Sequence, residues 1–273
     1  MPRIGVKRGS VWTADTAGLL SEPHLWTESR MSVLYDTIGI DYSALRRPDP
    51  RIAAAIHAHL EHAASALNVG AGAGSYEPGH LKVTAVEPSA AMIHQRPQGG
   101  ASVVQATAED LPFEDKSFDA SMAILTVHHW RDVRKGLLEM RRVTRGKIII
   151  LTFDPLASNF WLLDYLPELG TLDQQQMPAM ADFEAVLGPV QRIAVPIPHD
   201  CIDGMLCAYW RRPAAYLDPK VRRSISSFWK IGDPTEALQR LREDLQSGEW
   251  ERKYAHFLDQ VSCDFGYHLV VTR

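Results

Sequence analysis

Apolar residues in the first half of the chain come in short runs broken by turn formers, not in one long stripe. One run closes at Leu67 to Val69 and stops at Gly70, Gly72 and Gly74; a second, Val83 to Val86, stops at Glu87 and Pro88. Runs of this length bounded by glycine and proline predict strands. Ser102 to Gln105, Phe118 to Leu125 and Lys147 to Phe153 predict three more, the last apolar at successive positions and so buried on both faces. Helical spacing fills the gaps. Ile52, Ile56 and Leu60 share a face of Pro50 to Leu60, Ser89 is placed to cap a helix through Met92 and His94, and Val133, Leu137, Leu138 and Met140 line Arg131 to Val143. Strands alternating with helices predict an α/β fold around a parallel sheet.

The second half reads less regularly. Pro155 to Met180 is aromatic without a period, Asp182 to Leu187 predicts a short helix ending at Gly188, and Val190 to Ile197 predicts a strand. Helical tracts follow at Pro219 to Lys230, Pro234 to Leu245 and Trp250 to Leu258, before a last strand at His268 to Thr272. This ordering divides the chain into an N-terminal arm (1–30), a core (31–154), a core continuation with cap insertions (155–267) and a last core strand (268–273).

Composition narrows the partners. With 273 residues, 45% of them hydrophobic, one core and a cap are possible without a disulfide or metal. A formal net charge of -4 provides no field to draw in nucleic acid or an anionic membrane, so a small molecule is the expected partner. Cys201, Cys207 and Cys263 are odd in number and lack metal-ligand spacing; with no apolar leader and no apolar run of about 20 residues, they predict reduced thiols in a cytoplasmic protein.

The candidate chemistry sits in LNVGAGAGSYEPGHLKVTAVEP, Leu67 to Pro88. Glycines at Gly70, Gly72 and Gly74 let backbone amides approach a ligand, and Glu87 at the end of the next strand is placed to accept from the vicinal hydroxyls of a ribose. By itself the stretch also fits a plain glycine turn between core strands. The dinucleotide fingerprint is not met, because Ser75 and Glu77 stand where its third glycine belongs in the two possible registers.

The GxGxG turn with its acidic partner resembles motifs I and II of the class I S-adenosylmethionine-dependent methyltransferases. A second stretch, ATAEDLPFEDKSFDA, resembles the Asp-Ala-Glu-x-Leu-Pro-Phe segment of the branch of ubiquinone and menaquinone biosynthesis enzymes, with Thr107 in place of the usual aspartate. The resemblance implies a Rossmann-like seven-stranded, mostly parallel sheet with an antiparallel last strand and a partly helical substrate cap. It implies S-adenosylmethionine as cofactor, with Ala108 and Glu109 flanking the adenine and Pro88, Met92 and Leu125 in the same pocket. From the family's Tyr-x-x-x-Arg segment it implies Tyr42 and Arg46, the arginine meeting the methionyl carboxylate.

Ligands of an open parallel sheet bind outside the carboxyl ends of its strands, which puts His128 and His129 of TVHHW beside donor and acceptor. Imidazole suits removal of the acceptor's proton, with His129 slightly favoured; the other reading is a histidine wall of the pocket. Trp161 is a candidate acceptor contact from an aromatic lid or, equally, satellite core, and Trp210, ahead of a later helix break, is a further candidate acceptor contact. His199 with Asp200 reads as an acid/base pair at the pocket mouth or as an ordinary turn. The expected activity is methyl transfer to a small organic acceptor by in-line displacement, the alternative a cofactor-binding protein without turnover.

Overall fold

In the fifth strand, Ile149 and Leu151 belong to one apolar core while Ile148 and Ile150 belong to another. This alternation decides the architecture: a strand apolar on both faces must be covered on both. The computed structural model describes residues 45–157 and 159–273. Tyr42 and the arm, residues 1–30, lie outside the described residues.

Nine strands are assigned among these residues: β1 (Ser65–Val69), β2 (Lys82–Val86), β3 (Ser102–Val104), β4 (Ala120–Ile124), β5 (Ile148–Phe153), β6 (Val190–Ala194), β7 (Ile197–Pro198), β8 (Ser262–Cys263) and β9 (Tyr267–Thr272). Seven form one sheet in the order β3-β2-β1-β4-β5-β9-β6. β1 through β5 pair in parallel, whereas β9 runs antiparallel between β5 and β6, so the sheet is the mostly parallel, seven-stranded one that the sequence predicts. The order reverses direction at β1 and β4, which places a crevice at their carboxyl ends.

Helices α1 (Pro50–His57), α2 (Ala90–His94) and α3 (Val133–Val143) start where the sequence places caps. The side chains of Asp49, Ser89 and Asp132 accept from the first-turn amides of Arg51, Met92 and Lys135. α1 buries Ile52 and Ile56 on one face of the sheet, and α3 buries Leu137, Met140 and Val143 on the other. The segment from Gly70 to Leu81 contains turns and no helix, as Pro78 and Gly79 require.

Beyond β5 come α4 (Pro167–Gln176) and α5 (Met180–Leu187), and between β7 and β8 come α6 (Pro219–Arg223), α7 (Ser227–Lys230), α8 (Thr235–Ser247), α9 (Glu249–Lys253) and α10 (Ala255–Leu258). Three expectations are corrected here. The strand from Val190 ends at Ala194, because Pro196 has no N–H to continue the ladder and the chain re-pairs as β7 with β8. The tract from Pro219 divides around Ser224, whose hydroxyl turns back to the Val221 carbonyl. Within the aromatic stretch after β5 lies α4, which has no apolar period because its buried stripe carries Leu169 and then Asp173.

Candidate active site

At the carboxyl ends of β1, β2 and β4 lies a cavity of about 480 Å³, within the range of small-molecule sites. Its floor is the glycine turn. Gly70, Gly72 and Gly74 all have positive φ (67°, 51° and 93°), a region that other L residues enter only with strain. At Gly70 a Cβ would lie 2.2 Å from Thr126 Oγ1, so the turn after β1 and the loop after β4 touch and only glycine fits between them. Leu125, at the end of β4, also sits at positive φ, 51°, and is fixed there by its amide's bond to the Leu151 carbonyl.

Glu87 ties the turn to β2. One carboxylate oxygen accepts from the Gly72 amide at 2.8 Å and the other from the Ser89 amide at 3.0 Å. The residue is only 7% exposed, and burial raises its pKa from the ordinary carboxylate value against the two amides that lower it. Each oxygen has a further lone pair, so the carboxylate can still accept from two hydroxyls. Behind the turn, Arg96 forms a two-pronged ion pair with Glu77 at 2.7 Å and donates to the Gly72 carbonyl at 3.2 Å, while Asn68 donates to Glu77. The loop is therefore set before a ligand arrives.

The structure gathers Arg46, Gly70, Gly72, Glu87, Pro88, Met92, and also Ala108, Glu109, Leu125 and His129, around this one cavity. Gly74 stands behind it, with Arg96 and Glu77 close to where its Cβ would be. Arg46 is held by Asp203, Nε to Oδ1 at 2.6 Å, and Asp203 Oδ2 accepts from the Tyr76 hydroxyl at 2.8 Å. Thr126 and Trp130, the two ends of the TVHHW stretch that the sequence places beside donor and acceptor, line the cavity, and Tyr76 joins them without having been singled out in the sequence. Tyr76 flanks a motif already noticed; a tyrosine two residues after the last glycine was the available signal.

The remaining sequence candidates lie elsewhere. Trp161 and Trp210 are buried in an aromatic cluster, where Trp161 Nε1 donates to the Trp210 carbonyl and Trp210 Nε1 to that of Ile197, and neither lines the cavity. His199 and Asp200 are at the surface, with Asp200 accepting from Arg51 at 2.7 Å. Among the described residues no cluster of histidine, cysteine and carboxylate side chains could hold a metal, and no helix is long and apolar enough to cross a membrane.

A second, smaller cavity of about 60 Å³ adjoins the first along Arg46, Leu125 and His129, and His128 faces it. The two imidazoles lie against one another, ring centres 3.9 Å apart. Burial lowers the pKa of His128 to about 3; burial, then the neighbouring ring, takes His129 well below its ordinary value too, so both are neutral near pH 7. Across this cavity stands Asp173, whose carboxyl burial pushes up to about 6.

The family model of the methyltransferase domain matches residues 67–152, from the start of the glycine stretch to the end of β5. A solved structure from Anabaena variabilis, described as a "putative methyltransferase from antibiotic biosynthesis pathway", is 36% identical over 85% of this chain and 100% of its own, with a TM-score of 0.76. The chain belongs to the class I S-adenosylmethionine-dependent methyltransferases. The ubiquinone/menaquinone biosynthesis C-methyltransferase of Geobacter sp. is 30% identical over 41% of this methyltransferase and 57% of the relative. A 2-methyl-6-phytyl-1,4-hydroquinone methyltransferase of Oryza sativa is 25% identical over 41% of this chain and 37% of the relative. The methyltransferase thus spans between about a third and little more than half of the length of these curated relatives.

The residues fit the cofactor. An acceptor for ribose hydroxyls at Glu87, a cation at Arg46, an apolar strip of Met92, Ala108 and Ile124, and a glycine turn without side chains together match the polar and apolar parts of S-adenosylmethionine. Trp130 Nε1 is buried with no hydrogen-bond partner among the described residues, an atom that a ligand in the cavity would satisfy.

Proposed function

We propose that this methyltransferase transfers a methyl group to a small organic acceptor by in-line displacement, with the acceptor's reacting end in the smaller cavity. The observation that carries this reading is the adjacency of the two cavities along Arg46, Leu125 and His129. S-adenosylmethionine, when bound, supplies an already activated methyl group. The protein's part is then to align and exclude water, not to activate. Glu87 and the glycine turn orient the nucleoside end, Arg46 with Asp203 offers the cation for the carboxylate, and strained Leu125 shapes the border between the cavities. Segment 155–267 continues the core and carries the cap insertions in this reading, and a cytoplasmic location is supported by the free cysteines Cys201 and Cys207.

Relation to the quinone-biosynthesis branch belongs to the proposal. It is supported by the Leu111-Pro112-Phe113 segment and by the Geobacter relative, whose matched part is the cofactor core. Transfer of labelled methyl from S-adenosylmethionine into small-molecule fractions of a cell extract tests the reading. Label should appear with wild type and be absent with Gly72→Val; cofactor binding without any labelled product would favour a protein that binds without turnover.

A further inference from the structure

The smaller cavity is lined by a specific mixture. Phe153, Met177, Met205, Leu206 and Ile225 make its apolar walls, and its polar groups come from Asp173, His128, Ser226 and Ser227, with Arg46, His129 and the Tyr267 ring at its edges. Its volume of about 60 Å³ has room for roughly four water molecules, the size of a functional group rather than a whole metabolite.

Two of its polar groups lack adequate partners. Asp173 is 4% exposed, and its one hydrogen bond among the described residues is a long one, 3.4 Å, from Gln176 Nε2. Lys230, the nearest cation to influence it, gives its hydrogen bond to Gln176 Oε1 at 2.7 Å instead. His128 Nδ1 is buried with no hydrogen-bond partner among the described residues. Native proteins pair almost all buried polar atoms, so two such groups facing one small cavity mark the place of a ligand. The carboxylate is an acceptor, and Nδ1 is a donor in the neutral tautomer that carries its hydrogen there.

We propose that this cavity selects an acceptor molecule presenting a neutral hydroxyl on an apolar body, with Asp173 receiving the hydroxyl hydrogen and His128 Nδ1–H donating to the hydroxyl oxygen. The inference rests on the methyl-transfer reading and adds the substrate class to it. A hydrocarbon end would leave both groups unpaired. An ammonium end could pair with Asp173 but would add a charge beside Lys230 and Arg46, the two cations that already act on the His128 ring. A carbonyl end could accept from Nδ1–H but would set its own lone pairs against the Asp173 carboxylate. The hydroxyl fits polarity and charge at once.

Three probes of one shape separate these cases: benzyl alcohol, benzylammonium and toluene, titrated at pH 7.5 into the full chain, with and without saturating S-adenosylhomocysteine. Histidine-labelled NMR gives affinity and the response of the His128 ring. Benzyl alcohol should bind at least fivefold more tightly than the other two and shift the His128 signal. Asp173→Leu should bring it down to the toluene level and Asp173→Asn should give a value between. Equal or tighter binding of toluene or benzylammonium, or unchanged benzyl alcohol affinity in both variants, overturns the inference. Asp173 does not line the larger cavity, so retained S-adenosylhomocysteine binding certifies that a variant is folded; should Asp173→Leu fail that check, a twofold or greater loss in Asp173→Asn is required. Failure of S-adenosylhomocysteine to bind wild type would count against the methyl-transfer reading, whereas normal nucleoside binding with no preference for benzyl alcohol counts against this inference alone.

Discussion

Arg46 and Asp203 are 157 residues apart in sequence, yet their side chains meet at 2.6 Å and their backbones form an antiparallel bridge. The contact closes the chain entering the first core helix against the loop that follows β7. Asp203 is 1% exposed, and its second oxygen holds the Tyr76 hydroxyl at the cavity wall. One carboxylate thus positions two residues of the cofactor site without lining it.

Asp203→Ala removes a buried counter-charge and leaves Arg46 and Tyr76 without it. Removal of one partner from such a pair costs about 3–5 kcal/mol. Chemical denaturation should show a loss of that order, and S-adenosylhomocysteine affinity should fall by tenfold or more, with Asp203→Asn intermediate. Unchanged affinity in a folded Asp203→Ala protein would show that Arg46 needs no positioning.

Gly70→Ala should be among the most damaging single-methyl changes in the core. The added carbon would lie 2.2 Å from Thr126 Oγ1, at a φ of 67° that costs a non-glycine residue roughly 1–2 kcal/mol by itself. Paired with Thr126→Gly, the steric part should be relieved and only the backbone part should remain. Denaturation midpoints of the single and double variants check this: an additive double loss would contradict it.

The readable part of the fold was what short-range pattern determines. β2, β5 and β9 fall within a residue of the runs that predict them, and β1 ends where its run ends, since buried strands need apolar side chains on both faces. The cofactor side of the site was legible for a related reason: glycines at positive φ and an acid at a strand end are local requirements. What escaped notice depends on distance or on a broken pattern. Asp203 gives no sign in sequence of its reach to Arg46. α4 was hidden because its buried stripe places Asp173 where an apolar residue would have revealed the period, so the residue that obscured the helix is the one facing the small cavity. Trp161 looked like part of a lid because aromatic content alone does not distinguish a pocket wall from a core.

Asp173 should make stability depend on pH in a defined sense. Its folded-state pKa, about 6, lies above the ordinary 3.8, so the folded state binds the proton more tightly than the unfolded chain. Stability from this group is full below about pH 4 and is lost as pH rises through 6. Asp173→Asn should therefore be more stable than wild type at pH 8, by about 2–3 kcal/mol at most, and the gain should vanish toward pH 4. A variant less stable than wild type at pH 8 would show that the charge is better compensated, by Lys230 or otherwise, than its surroundings indicate.

The histidine pair should be silent as bases in the neutral range. With His128 depressed to about 3 by burial, and His129 also well below its ordinary value, neither ring should gain a proton between pH 6 and 8. Labelled imidazole signals for both should stay in the neutral form across that window, and His128→Gln should leave any pKa near 6.5 in the kcat/KM profile unmoved. A titration of either ring near pH 6.5 would restore it as a general base.

The most direct measurement is calorimetric titration of the protein with S-adenosylmethionine, S-adenosylhomocysteine and NADH in parallel, repeated on Glu87→Ala. Micromolar binding of both sulfur nucleosides, no binding of NADH, and at least a hundredfold loss in Glu87→Ala are expected if the larger cavity holds the methyl donor as described. Absence of binding by either sulfur nucleoside, or binding indifferent to Glu87, would contradict it.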